Sequence, residues 1–369
     1  MGAGISSLSK ICLVEPYSEM KKQELDIDYS FVGLGIESDE VDVAGNCGNM
    51  SSAIGPYAYN AGLLSPEVYA QGDGQVTVKI RNTNTGKLID STFEVVDKQA
   101  AVIGNYSIDG VTGNGSKVKL DFEDPYGSKT GKVLPTGNIM DKIAGYEVSC
   151  VDGANPAIFI RAEDISVDGT ILPNDFNKLP DKLELLEQIR KAAAVAMGIA
   201  STEEKVPRTI PKIGLVSRSS KHPVLSGQTL ETGQTDLVLR FISDTQPHRA
   251  IPLTAALTTA VAARIPGTIV EQLLAPEPVM AGAITIGHAS GRLQVNATMD
   301  ERDPLIPTSA TVYRTAKRLF EGKTFWTDGP NNDLEQNVDY GEGGSHSLGL
   351  AFVLESRGKS GWIPPEKTA

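Results

Sequence analysis

A cysteine set between glycines, in Gly45-Asn46-Cys47-Gly48-Asn49, runs straight into the small-residue stretch 50–58, which reads as the first turns of a packed helix. The N–H groups of a helix's first turn have no intrahelical partner, and the helix dipole places its positive end there. A thiol at such a point is biased toward thiolate, and the same amides can receive a carboxylate. The competing reading is a glycine-rich turn around a structural thiol, and spacing alone leaves both open. Asn46, Asn49 and Ser51 can serve a ligand or simply cap the helix.

Other residues of chemical interest lie far away in sequence. Gln246, His248 and Arg249 sit in a polar loop just before a second small-residue helix read over 252–265. Arg249 can grip a carboxylate with two parallel hydrogen bonds, or serve only at the surface. His288, Ser290 and Gly291 make a third polar loop, and Lys10, preceded by Ser9, places an amine at the edge of a strand pattern over 9–14. Most lysines are solvated strand ends, so Lys10 on its own is weak. Four histidines, none at ligand spacing from another or from a cysteine, give no reason to expect a metal.

The elements that must carry these loops are partly visible. Residues 75–81 alternate with period two, 82–86 supply a turn, and 92–96 read as the hairpin partner; 118–122 alternate again. A strand is read over 235–242 and a long helix over 180–200. The helices after Cys47 and Arg249 are both almost free of charge, and a helix without a polar face must be buried all round. Each follows a polar loop among short strands, so two similar domains are expected, each a sheet wrapped around one helix. A chain of 369 residues exceeds one ordinary core, which fits that division. After Trp326 the pattern lapses, and 327–369 read as a flexible tail.

Composition narrows the partners. A formal charge of −12 argues against nucleic acid or an anionic membrane surface, and no stretch reaches transmembrane length. Cys12, Cys47 and Cys150 are odd in number and widely spaced, which points to a reducing, cytoplasmic setting without disulfides. Cys12 and Cys150 fall on strand-like runs and read as core thiols.

Eight motifs in one order resemble the PrpF family, the aconitate and methylitaconate Δ-isomerases of the diaminopimelate-epimerase-like superfamily. They are Ser7-Leu8-Ser9-Lys10, the Cys47 loop with Gly55-Pro56, Asn84-Thr85-Gly86, Pro135-Thr136-Gly137-Asn138, Ala154-Asn155-Pro156, 246–250 with 262–267, 287–291, and 314–322. The resemblance implies an α+β fold of two diaminopimelate-epimerase-like domains, each a mixed, barrel-like sheet around a central helix, with the site in the cleft between them. It divides the chain into 1–124, to which 305–326 return, 125–304, and the tail.

The resemblance also implies a cofactor-independent 1,3-proton shift that moves a C=C bond in a small unsaturated di- or tricarboxylic acid. Lys10 would be the base and Cys47 an auxiliary group. Carboxylates would be held by Ser9, Asn46, Gly48, Asn49, Gln246, His248, Arg249, His288, Ser290 and Gly291. Epimerases of the superfamily place a cysteine on each central helix, whereas the second helix here has none, which disfavours a two-thiol racemase. An accessory, non-catalytic carboxylate binder is a further alternative. Ala289 stands where the family usually has proline. The Arg-Gly-Gly-Thr-Ser-Lys-Gly loop with which family members open does not precede Lys10, so an open sheet edge and homodimerisation through it are expected.

Overall fold

The structure is a computed structural model that describes residues 10–17, 25–34, 41–43, 47–243, 245–319 and 321. The tail 327–369 and two of the candidate residues, Ser9 and Asn46, lie outside the described residues.

A sixteen-stranded mixed sheet dominates. Thirteen strands form its continuous path: β1 (Lys10–Pro16), β2 (Ile27–Leu34), β3 (Gly74–Asn82), β4 (Leu88–Val96), β5 (Val118–Glu123), β6 (Asp141–Ile143), β7 (Tyr146–Asp152), β8 (Pro156–Arg161), β9 (Lys212–Arg218), β10 (Leu237–Ser243), β11 (Ile284–His288), β12 (Gly291–Met299) and β13 (Pro307–Arg314). Their spatial order is β1-β2-β3-β4-β5-β13-β12-β11-β10-β9-β8-β7-β6. The last strand therefore sits at the middle of the path, hydrogen-bonded to β5 on one side and β12 on the other. β1 ends the path and pairs with β2 alone among the described residues.

Three neighbouring pairs are parallel, namely β2 with β3, β8 with β9 and β10 with β11. Parallel neighbours need a crossover, and each of these has a helix in it. They are α1 (Gly48–Asn60), α2 (Pro180–Ala196) and α3 (Leu253–Ala262). α2 shows one apolar stripe, with Leu186, Ile189 and Ala193 buried against the outer faces of β7, β8 and β9. α1 and α3 instead share a single core with the inner faces of the strands from both halves of the path. All ten residues of α3 are buried, as its uncharged sequence requires. α1 departs from that expectation: Asn49, Ala53, Pro56, Tyr57 and Asn60 are only half-buried, so one side of it approaches the surface.

The strand alternation is clear in β3, where Val76, Val78 and Ile80 face inward between exposed Gln75, Thr77 and Lys79. Its hairpin partner β4 begins at Leu88, four positions before the sequence pattern announces it, with Thr77 opposite Thr92. The pattern was broken by Ser91, an inward polar residue. It is small because Gly55 of α1 packs there; a Cβ on Gly55 would lie 2.7 Å from Ser91 Cβ. Arg81 and Asp28 fasten the parallel pair β2–β3 through two bonds, Nε to Oδ1 at 2.8 Å and Nη2 to Oδ2 at 2.7 Å. Among the described residues no helix is long and apolar enough to cross a membrane.

Candidate active site

Cys47 is the N-cap residue of α1, in extended conformation and half-buried, and its side chain makes no capping bond. The first turn is fixed from behind. Ser51 donates from its amide (3.0 Å) and its hydroxyl (3.2 Å) to the Cys47 carbonyl, and Tyr29 of β2 shares a 2.6 Å bond with that buried hydroxyl. The segment leading to the loop is fastened by Asn84. Its side-chain amide accepts from Phe31 N (2.7 Å) and donates to the carbonyls of Phe31 (2.8 Å) and Val43 (2.9 Å). Asn84 is thus more than a turn residue: it extends the ladder of β2 and holds the chain four residues before Cys47.

The two central helices begin against each other. Gly48, the first residue of α1, is buried against Leu253, the first residue of α3; a Cβ on Gly48 would lie 2.8 Å from Leu253 Cβ and 2.9 Å from its Cγ. Only glycine permits so close a meeting of two helix starts. The N-cap of α3 is Pro252, whose ring cannot cap, so neither helix start is closed by its own N-cap side chain. Two positive dipole ends therefore converge on one place.

Lys10 opens β1, half-buried, with Gly33 of β2 opposite it and Asp42 opposite Gly33 in turn. Strand alternation puts Lys10 on the face of Cys12 and Val14, which are buried in the core around α1. Burial pushes the Cys12 thiol well up, Cys47 pushes it further, and the charge of Lys10 pulls it down. The amine and the loop thiol thus both bear on this one sulfur from the α1 side of the sheet. Cys150 is likewise buried and pushed up, so both inner thiols are inert core residues.

On the α3 side, Gln246 is exposed on a two-residue bridge to β10, and Arg249 is exposed as well. His248 is half-buried; its amide donates to Phe241 O (2.8 Å) and its Nδ1 accepts from Ala250 N (3.1 Å). Ser290 joins the two polar loops by donating to the Arg249 carbonyl at 2.6 Å. Gly291 has φ +137°, a conformation that suits glycine, and a Cβ there would collide with Asp109. From the other side, Leu225 N donates to Ala289 O at 2.7 Å. The 287–291 loop is held on three sides, although Ala289 stands where a proline would stiffen it.

His288 is buried, and its pKa is pushed down to about 3. Burial is the main cause, followed by the positive charges of Arg240, Arg314 and His248, with a backbone hydrogen bond at Arg292 in opposition. Its Nδ1 accepts from Ser290 N (3.1 Å), so it is a neutral ring that shapes the loop. In the sequence Arg314 stood out only as the first residue of a family motif, 314–322, with no role at the site. It closes β13 on the face of buried Ala310 and Val312, opposite Val118, where its charge reaches His288 and Tyr106. Basic residues at a strand end carry no local signal, and only the central position of β13 brings this one to the site.

A family model described as PrpF protein matches residues 1–327. The 3-methylitaconate isomerase of Eubacterium barkeri is 37% identical over 86% of this chain and 82% of its own length. The 2-methyl-aconitate isomerase of Shewanella oneidensis is 33% identical over 87% and 82%. A crystal structure of a methylitaconate-delta-isomerase superposes with a TM-score of 0.76 at 34% identity, covering 89% of this chain and 87% of that one. The chain belongs to the PrpF family.

Proposed function

We propose that the protein is an isomerase that moves a C=C bond by a 1,3-proton shift in a small unsaturated polycarboxylate of the methylitaconate, methylaconitate or aconitate type. The observation that carries this reading is the meeting of α1 and α3 at Gly48 and Leu253, with Lys10 on the inner face of β1, a strand that packs against α1. The names of the relatives support the substrate class, and a further relative, from Novosphingobium, is a (4E)-oxalomesaconate Delta-isomerase, 29% identical over 88% of this chain.

In this mechanism the Lys10 amine takes the allylic proton. The C–H electron pair becomes the new C=C bond, and the old π pair passes toward the conjugated carboxylate as a dienolate. The Lys10 ammonium then returns a proton two carbons away, so the reaction is balanced without an added reactant. The amides at the starts of α1 and α3 stabilise the spread charge, because the helix dipoles aim them before the charge forms. Cys47, Gly48 and Asn49 line the α1 side, and Ser9 and Asn46 are assigned to the same carboxylate by the family resemblance. Gln246, His248, Arg249, Ser290 and Gly291, with Arg314, line the α3 side, and His288 keeps its loop in shape.

In the same reading the chain divides at residue 124 into two units, with 305–326 belonging to the first and 125–304 forming the second. A homodimer belongs to the same reading, and the free thiols suit a cytoplasmic setting. The test is incubation with cis- and trans-aconitate and with 2-methylaconitate in deuterated water, followed by NMR. Migration of the vinyl signal with deuterium uptake is expected. Binding without migration or exchange sinks the reading, and exchange at a saturated stereocentre would replace it with an epimerase.

A further inference from the structure

The connection between β4 and β5, residues 97–117, is far longer than a hairpin needs. It folds back as a narrow ribbon in which Tyr106–Ser107 pair with Asn114–Gly115. The turn at its tip, closed by Val111 N to Ile108 O at 3.0 Å, carries Asp109 across to the loop that follows β11. There Asp109 Oδ2 accepts from the Arg292 amide at 2.9 Å and from its Nε at 3.0 Å. The neighbouring Gly110 is so close to Ser290 that a Cβ on it would lie 2.9 Å from Ser290 Cβ. Ser290 in turn holds the Arg249 carbonyl at 2.6 Å. Arg292 points outward from β12, between buried Gly291 and Leu293, so the ribbon grips the loop from outside.

We infer that Asp109 is a positioning residue for the carboxylate subsite formed by the Arg249 and 287–291 loops. It acts through the Arg292 amide and Ser290 without touching the ligand. The inference rests on the reading of those loops as a carboxylate subsite. One carboxylate, supplied by the first half of the path, fixes a loop of the second half and, through it, the segment before α3. With Asp109 gone, the fastening of Gly291 and Ser290 from the outside is lost while the core beneath is untouched. The consequence is weaker binding with little change in the chemical step.

The test uses tricarballylate, a saturated tricarboxylate that cannot be isomerised, titrated calorimetrically into the wild-type protein and into Asp109→Ala, Asp109→Asn and Asp109→Glu. Asp109→Ala is expected to raise Kd, and KM for aconitate, about tenfold while kcat stays within about threefold, the pattern of lost uniform binding. Asp109→Asn should fall between, since its amide oxygen can still accept from Arg292 N. Asp109→Glu should recover most of the affinity. An unchanged Kd in Asp109→Ala, or a loss seen only as fewer binding sites and lower kcat at constant KM, overturns the inference. Wild-type protein that binds tricarballylate but isomerises nothing refutes the proposed reaction and leaves the comparison of Kd values decisive for Asp109. Wild-type protein that does not bind tricarballylate overturns the carboxylate subsite and the inference with it.

Discussion

The starts of α1 and α3 use one device and differ in chemistry. Both are crossover helices between parallel strands, both lack a side-chain cap, and they touch through Gly48 and Leu253. The α1 start has a half-buried thiol and, on the adjoining strand face, an amine. The α3 start has no thiol; His248 and Arg249 lie in the loop just before it, and that loop is tied to the 287–291 loop and, through it, to the Asp109 ribbon. A symmetric pair of thiols would suit removal and return of a proton on opposite faces of one carbon. One base beside a rigid anion-holding surface suits removal at one carbon and return at another. On the proposed reading, the fold fixes where a small anion would lie, while the residues at each helix start decide what happens to its protons.

The comparison breaks most sharply at Lys10. Lys10→Ala is expected to lower kcat by about 10³-fold with KM for aconitate little changed, in line with loss of a general base. Retention of more than a tenth of the wild-type rate in an initial-rate assay would transfer the base role elsewhere. The next effect falls on the contact itself. Gly48→Ala drives a Cβ into Leu253 and is expected to cost about 1–3 kcal/mol of stability, as overpacked core sites do. Leu253→Ala should restore part of that loss in the double variant, read as a coupling energy from urea unfolding. Additive effects would mean that the two helix starts are not in contact.

How much of this arrangement could be read beforehand follows from where the sequence signal is local. The α1 and α3 helices, the alternation of β3 and β5, and the core assignment of Cys12 and Cys150 all rest on short-range patterns, and the structure has them. β8 and β9 carried no such pattern, because they are covered on both faces: Ala157 to Ile160 and Ile213 to Val216 are buried without alternation. The start of β4 was hidden by Ser91, whose size is set by Gly55 thirty-six positions away. At the site, the loops around Cys47, Arg249 and His288 were legible as polar interruptions. Asn84 and Arg314 stood out only as members of family motifs and Asp109 not at all, since the part each plays depends on the long-range pairing of β2, β12 and β13.

The α3 side has a pH signature that the α1 side does not share. An unfolded chain holds a histidine near its ordinary pKa of about 6.5, whereas folded His288 is pushed down to about 3 by burial and by neighbouring positive charge. Between those values the unfolded state binds the extra proton, so stability is full above pH ~6.5 and is lost as pH falls. From pH 6 to pH 4 the loss from this one ring is roughly 2–3 kcal/mol. His288→Gln should flatten the pH dependence of the urea midpoint over that interval. A residual slope of the same sign is expected from His222, whose pKa burial also lowers. An unaltered slope in His288→Gln would place the buried proton acceptor elsewhere.

The smallest expected effect is the most informative about the asymmetry. If Cys47 were one of two proton carriers, Cys47→Ala would abolish turnover as completely as Lys10→Ala does. As an auxiliary group whose main-chain atoms, through Ser51 and Tyr29, keep the start of α1 in place, it should cost only about tenfold in kcat/KM, or ~1.4 kcal/mol. Cys47→Ser should lie closer to wild type, because a hydroxyl still offers a polar contact at the same point without an easily formed anion. The discriminating measurement is deuterium uptake at each carbon during turnover. Unchanged site preference in Cys47→Ala assigns both proton transfers to Lys10, whereas selective loss of uptake at one carbon makes the thiol the second proton carrier. That result would turn the difference between the two helix starts into a division of labour within the α1 side alone.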